Sequence, residues 1–193
     1  MSIDMEVPIK IRKPSKIGLF FIAATGGIAT AISVVCYPFV SPAFRKICLP
    51  YVPATRQQIK NVIRALNDRS GSLIDLGSGD GRIVLAAAKR GFKAHGIELN
   101  TWLVWYSRLQ AVINGLSKVT AFHKQDLWKH HLGKYDNVVI FGVDQMMEDI
   151  EKKFNNELRK DCLVIACRFS LPNTHPVMTI GHGVDTVWIY KIS

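Results

Sequence analysis

The chain has 193 residues, 48% of them hydrophobic, and 25 Lys and Arg against 15 Asp and Glu, a formal net charge of +10. That length holds one domain of ordinary size plus a short extra segment, which excludes a multidomain machine, and the apolar content excludes a disordered polypeptide. The four cysteines, Cys36, Cys48, Cys162 and Cys167, form no C-x-x-C pair. A zinc knuckle or thioredoxin-like motif is thereby excluded, and no metal site is expected. Cys162 and Cys167 lie five apart in one apolar run, on opposite faces of a strand, and read as buried thiols in a reducing compartment.

Residues 1–16 form a basic leader. From Ile17 to Phe44 no charged residue occurs across 28 positions. Positions 17–36 alone give roughly 30 Å of helix at about 1.5 Å per residue, enough to cross a bilayer core, so 17–44 is expected to be a membrane anchor. A buried core helix is the competing reading. A signal peptide fits less well, because the apolar run is long and no small-x-small cleavage site follows. Ala23, Gly27 and Ala31 would permit close helix contact in a membrane. Pro38 and Pro42 are expected to stop the helix. Residues 1–60 carry eight cations and two acids, +6 of the +10. This charge flanks the apolar run on both sides, which suits an anionic membrane surface and leaves orientation open. The leader is compatible with mitochondrial import. A connector spans 45–54.

A globular domain is expected over 55–193. It opens with a capping-box pattern, Thr55 to Gln58, ahead of Ile59, Val62, Ile63 and Leu66 at helical spacing. Ser72–Leu76 reads as a buried strand and Arg82–Arg90 as a helix stopped by Gly91. Ala94–Leu99 is a second strand, and Asn100 caps a helix to about Asn114. Val119–His123 and Asn137–Phe141 are further strands. Glu148–Arg159 is helical, and Cys162–Arg168 is a fifth strand. Val177–Ile180 and Val184–Ile192 flank Gly181-His182-Gly183 as a closing hairpin. Strands alternating with helices, then two final strands, define an α/β doubly wound sheet with an antiparallel edge.

In such a sheet ligands bind beyond the carboxyl ends of the strands. The first such end is Asp75-Leu76-Gly77-Ser78-Gly79-Asp80-Gly81-Arg82, where alternating glycines let backbone approach a ligand. Arginine at 82 replaces the last glycine of the dinucleotide fingerprint, and no Gly-Lys-Ser/Thr follows for a P-loop. Two carboxylates suit a cationic ligand better than a phosphate. Glu98 ends the second strand, where an acid accepts hydrogen bonds from both ribose hydroxyls. These features point to S-adenosylmethionine, which is cationic and carries no phosphate. Asp126, after the third strand, is placed for the adenine amino group. The residues expected to hold the cofactor are Asp75, Gly77, Ser78, Gly79, Asp80, Gly81, Glu98, Asn100 and Asp126.

The segments Asp75 to Arg82 and Gly96 to Asn100, with the closing strands, resemble the seven-β-strand methyltransferases, which implies a Rossmann-like seven-stranded fold preceded here by one transmembrane helix. Leu49 to Ala54, Trp102 to Arg108, Asp126 to Lys129, Val138 to Val143 and Asp185 to Trp188 narrow the resemblance to the ATP synthase c-subunit lysine N-methyltransferases, sisters of the adenine nucleotide translocase lysine N-methyltransferases. Thr101 and Asp144 depart from that pattern, which has proline at both. The resemblance implies a single-pass enzyme of the mitochondrial inner membrane that trimethylates a lysine of the ATP synthase c-subunit and supports ATP synthase assembly and respiration, with membrane lipid as a further partner and no nucleic acid.

Methyl transfer to lysine needs a neutral amine, yet the free side chain has a pKa of about 10.4. Desolvation in an apolar pocket lowers it, or a base removes the proton. Trp102, Trp105, Tyr106 and Phe141 are expected to line that pocket, with cation–π contact to methylammonium states. Asp144 and Tyr106 are the candidate catalytic groups, with Glu148 one turn on. Phe141-Gly142-Val143-Asp144 is not the Asn/Asp-Pro-Pro-Tyr motif of adenine or glutamine methylation. The rival readings are a methyltransferase for the translocase, a lipid or a quinone, an RNA methyltransferase favoured only by net charge, and a non-catalytic membrane assembly factor, against which the intact Asp75 and Glu98 argue.

Overall fold

A computed structural model describes residues 15–40 and 51–192. Most of the basic leader, Pro42, the Arg45–Lys46 pair, Cys48 and Leu49-Pro50 lie outside the described residues. The chain divides into two units, residues 1–37 and 38–193.

Among the described residues of the first unit there is one helix, α1 (Lys16–Val40), whose last three residues pass the division. Its side chains are almost all exposed, and the stretch Lys16–Tyr37 has mean hydropathy 2.1. The helix is long and apolar enough to cross a membrane by length and composition. Three of its hydroxyls are satisfied internally: Thr25 donates to the Phe21 carbonyl at 2.7 Å, Thr30 to Gly26 at 2.8 Å and Ser33 to Ala29 at 2.9 Å. These three hydroxyls are thereby paired within the helix, as an apolar surrounding requires. It continues through Pro38 to Val40, past the expected stop. A proline in the last turn forfeits one backbone hydrogen bond, which is cheaper there than in mid-helix.

The second unit is built on a seven-stranded sheet: β1 (Ser72–Leu76), β2 (Lys93–Glu98), β3 (Thr120–Lys124), β4 (Asn137–Phe141), β5 (Leu163–Cys167), β6 (Met178–Ile180) and β7 (Val187–Lys191). The order is β3-β2-β1-β4-β5-β7-β6, with β7 antiparallel to both neighbours and the remaining pairings parallel. β1, β4 and β5 are buried on both faces, which is why they read as short, mostly apolar runs, with Asp75 the buried acid in β1. One face packs on α2 (Arg56–Ala65), α3 (Arg82–Ala88) and α4 (Thr101–Ile113). The other packs on α5 (Asp144–Glu157). Cys162 and Cys167 fall in the two separate cores, and burial raises both thiol pKa values.

Thr55 caps α2 by accepting the Gln58 amide at 3.0 Å. The expected box is only half made, because the Gln58 side chain donates to the Val184 carbonyl at 3.1 Å. Asn61 donates to the Asp185 carbonyl at 2.8 Å. These bonds hold α2 to the 3-10 turn Gly183–Asp185, which shortens the last strand from the expected start at Val184. α5 begins four residues before the expected Glu148, because Met146, Met147, Ile150 and Phe154 form one buried helical stripe.

Candidate active site

The strand order reverses between β1 and β4, and the carboxyl ends of β1, β2 and β4 border the crevice that this opens. The loop leaving β1 has all three glycines at positive φ, +79° at Gly77, +54° at Gly79 and +79° at Gly81. The Gly77 and Ser78 amides both donate to the Ile97 carbonyl at 2.9 Å, locking the loop to β2. A Cβ on Gly81 would lie 2.7 Å from the Phe122 ring and 2.8 Å from the Ser107 hydroxyl; one on Gly79 would lie 2.9 Å from the Tyr51 ring. At Gly77 the nearest such atom is the Phe141 carbonyl, 4.0 Å away. The open side of the loop is therefore at Gly77.

Glu98, at the end of β2, accepts three backbone N–H groups: Gly79 at 3.0 Å, Leu99 at 2.7 Å and Asn100 at 2.8 Å. One carboxylate thus joins the loops after β1 and β2. Asp75 is 2% exposed, and its Oδ1 has no hydrogen-bond partner. Burial, then the charges of Glu98 and Asp80, push its pKa up to about 8. The Ser78 hydroxyl is likewise buried without a partner. Asp80 is already engaged. Arg82 grips it through Nη2 at 2.5 Å and Nε at 2.8 Å, and also donates to the Ala54 carbonyl at 2.6 Å. Burial opposes ionisation of Asp80, but Arg82 and the Tyr51 hydroxyl hold its pKa below the usual range. Burial and Asp80 together push Tyr51 up to about 12. Asn100 caps α4 by accepting the Trp102 amide at 3.0 Å. Asp126 follows β3 and accepts the Trp128 amide at 3.1 Å. The Gln125 amide donates to the Glu98 carbonyl at 3.1 Å and holds that segment beside β2.

The structure gathers Asp75, Gly77 to Gly81, Glu98, Asn100 and Asp126 at one edge of the sheet. It does not gather the four aromatics into an enclosed pocket. Trp102, Trp105 and Tyr106 are 41%, 64% and 48% exposed on α4. Phe141, half-buried at the end of β4, lies under the Arg168 guanidinium, 5.4 Å from its ring centroid. Asp144, the candidate base, is the exposed first residue of α5. Glu148 is exposed and paired with Lys152 at 2.8 Å. Sequence reasoning did not place Tyr51 over Gly79, because no local signal joins two residues so far apart along the chain.

The carboxyl groups Asp75, Glu98 and Asp126 and the glycine loop fit a cofactor that brings positive charge and no phosphate. Two buried polar atoms, Asp75 Oδ1 and Ser78 Oγ, await partners, and open space lies beside Gly77. The fold agrees with solved methyltransferases. An RNA methyltransferase from Salinibacter ruber, in complex with S-adenosyl-L-homocysteine, is 27% identical with TM-score 0.68, over 73% of this chain and 94% of that one. The fold, the site and this likeness define an S-adenosylmethionine-dependent methyltransferase.

The family follows from the sequence relatives. Residues 75–178 match the ANTKMT methyltransferase domain, and residues 14–45 match the N-terminal domain of the ATP synthase C-subunit lysine N-methyltransferases. Two ATP synthase C-subunit lysine N-methyltransferases are 54% identical to the chain. The one from Xenopus laevis aligns over 93% of this chain and 80% of its own length, the one from Homo sapiens over 91% and 76%. The chain belongs to the ATP synthase C-subunit lysine N-methyltransferase family.

Proposed function

We propose that this protein trimethylates a lysine side chain of the ATP synthase c-subunit, anchored by α1 in the mitochondrial inner membrane, and thereby supports ATP synthase assembly and respiration. The observation that carries this reading is the shared name of relatives 54% identical over most of both chains. S-adenosylmethionine supplies a methyl group on a positively charged sulfur. In this reading the Glu98 carboxylate, already aligned by three amides, accepts from the ribose. Asp126 accepts from the adenine amino group. Asp75 and the backbone from Gly77 to Gly81 receive the cationic end. Asp80 contributes through its grip on Arg82, which shapes the loop.

The incoming lysine must lose its proton first. Phe141, half-buried at the end of β4, favours the neutral amine by excluding water, whereas Trp102 and Trp105 are too exposed to do so. Asp144 at the start of α5 and Tyr106 on α4 are the groups proposed to take the proton. Cells lacking the protein are expected to hold the c-subunit at its unmethylated mass. Wild type, but not Glu98→Ala, restores the methylated mass by intact-mass spectrometry. A c-subunit that keeps its methyl groups in the deleted cells would refute the substrate assignment.

A further inference from the structure

The two faces of the sheet differ in charge. Helices α2, α3 and α4, all on one face, contain no Asp or Glu, whereas α5 on the other face carries Asp144, Glu148, Asp149, Glu151 and Glu157. The acid-free stretch around α4 runs from Leu99 to Gln125 and includes Arg108, Lys118 and Lys124. On α4 itself, Trp102, Trp105, Tyr106, Leu109, Val112 and Ile113 recur at helical spacing, and each is 41% to 67% exposed. The inward side of α4 is apolar too, through Leu103, Val104 and Ala111. The outer stripe is therefore additional to what the core needs. At its far end Lys89 donates to the Asn114 side chain at 2.9 Å. Beside Lys89 a cleft of about 440 Å³ between α2 and α3 is lined by Ile59, Ile63 and Ala86 and by the exposed cations Lys60, Arg64, Lys89 and Arg90.

We propose that the α2–α3–α4 layer is a lipid-facing surface whose α4 stripe lies in the headgroup boundary of an anionic bilayer. Indole and phenol rings have one apolar and one polar side and settle at that depth. Leu109, Val112 and Ile113 supply the apolar area that an interfacial helix buries, and the cations of the layer face anionic headgroups with no carboxylate on the same three helices to repel them. A nucleic acid would use the cations but leave the exposed aliphatic side chains uncovered. Trp102 follows Asn100 by two residues, so this contact turns the crevice toward the lipid boundary. It is a contact of the domain itself and does not depend on α1 crossing the membrane.

Tryptophan emission reads the contact directly. None of the four tryptophans lies in residues 1–101, and two are on the stripe. The full chain is reconstituted, with no other protein or RNA, into vesicles of phosphatidylcholine and phosphatidylglycerol carrying bromine on their acyl chains. The bromine is expected to quench the emission. The quenched fraction should fall in Trp102→Phe/Trp105→Phe, and in Leu109→Glu/Val112→Glu, whose glutamates face solvent. It should also fall when phosphatidylglycerol is omitted. Cofactor binding and melting temperature, measured in parallel, should stay at wild-type values in the glutamate variant and so exclude misfolding. Emission indifferent to brominated lipid but quenched by aqueous acrylamide would overturn the proposal. So would shielding of the stripe that arises only when RNA or a substrate protein is added. Resistance of the same vesicles to carbonate reports α1 separately.

Discussion

Replacing Asp75 with asparagine tests the burial of that carboxyl. The side chain is 2% exposed, and its pKa is pushed from 3.8 up to about 8, first by burial and then by Glu98 and Asp80. In the unfolded chain the group ionises near 3.9. Between about pH 4 and pH 8 the folded, cofactor-free protein therefore keeps a proton that the unfolded chain has lost. Stability from this group is fully present below the unfolded pKa and falls as pH rises toward 8, by about 1.4 kcal/mol per pH unit. Asparagine has the same shape and no proton to lose. From about pH 5.5 to about pH 7.5 the stability of Asp75→Asn relative to wild type should rise by roughly 3 kcal/mol, then level off above about pH 8. Groups common to both proteins cancel in that difference. Urea unfolding of the full chain in mild detergent, without cofactor, gives the midpoints, and stability follows from midpoint and slope. Parallel profiles for the two proteins would refute the reasoning, because they would mean Asp75 is ionised in the folded state throughout. The variant should also bind S-adenosylmethionine more weakly, so that stability and function move in opposite directions.

Glu98→Ala removes a partner from three amides and the acceptor proposed for the ribose. At about 1.5–3 kcal/mol for a charge-assisted bond, cofactor affinity should fall about tenfold or more by calorimetry, and unchanged affinity would place the site elsewhere. Gly81→Ala and Gly91→Ala both put a side chain at positive φ, but only position 81 lacks room: its Cβ would meet Phe122 at 2.7 Å, against nothing within 4 Å at 91. Thermal unfolding should show a cost of about 1 kcal/mol at Gly91 and an extra 1–3 kcal/mol, roughly, at Gly81; equal losses would contradict the packing described there. Membranes bearing the full chain should retain it through carbonate extraction, and a chain lacking residues 1–44 should stay in the supernatant while still binding S-adenosylmethionine.

The sheet was legible because β1, β4 and β5 are short apolar runs bounded by glycine or polar turns, and the cofactor loop because glycine alternates with acid at the end of such a run. What escaped the sequence was orientation and pairing. α4 is apolar on two sides, so spacing alone could not decide that Leu103 and Val104 face the core while Trp105 and Leu109 face outward. Asp80 and Glu98 are both acids at strand ends, yet one is neutralised by Arg82 and the other by backbone amides. The expected helix start at Glu148 overlooked Met146 and Met147, whose burial carries α5 back to Asp144.

The position of β7 has a consequence for the order in which the sheet is assembled. It is the last described strand in sequence, yet it lies between β5 and β6, and β6 pairs with no other strand. Until residues 187–191 have left the ribosome, β5 presents an open edge and β6 has no place to bind. Val187 and Tyr190, wholly buried once folded, arrive only with β7. The apolar N-terminal helix is made first, so a receptor or membrane can engage it while the domain behind it is still unable to close. Such an open edge is prone to aggregation. Vectorial synthesis thus leaves the sheet open until β7 emerges, and a stop codon just ahead of Val187 would remove the strand that joins β5 to β6.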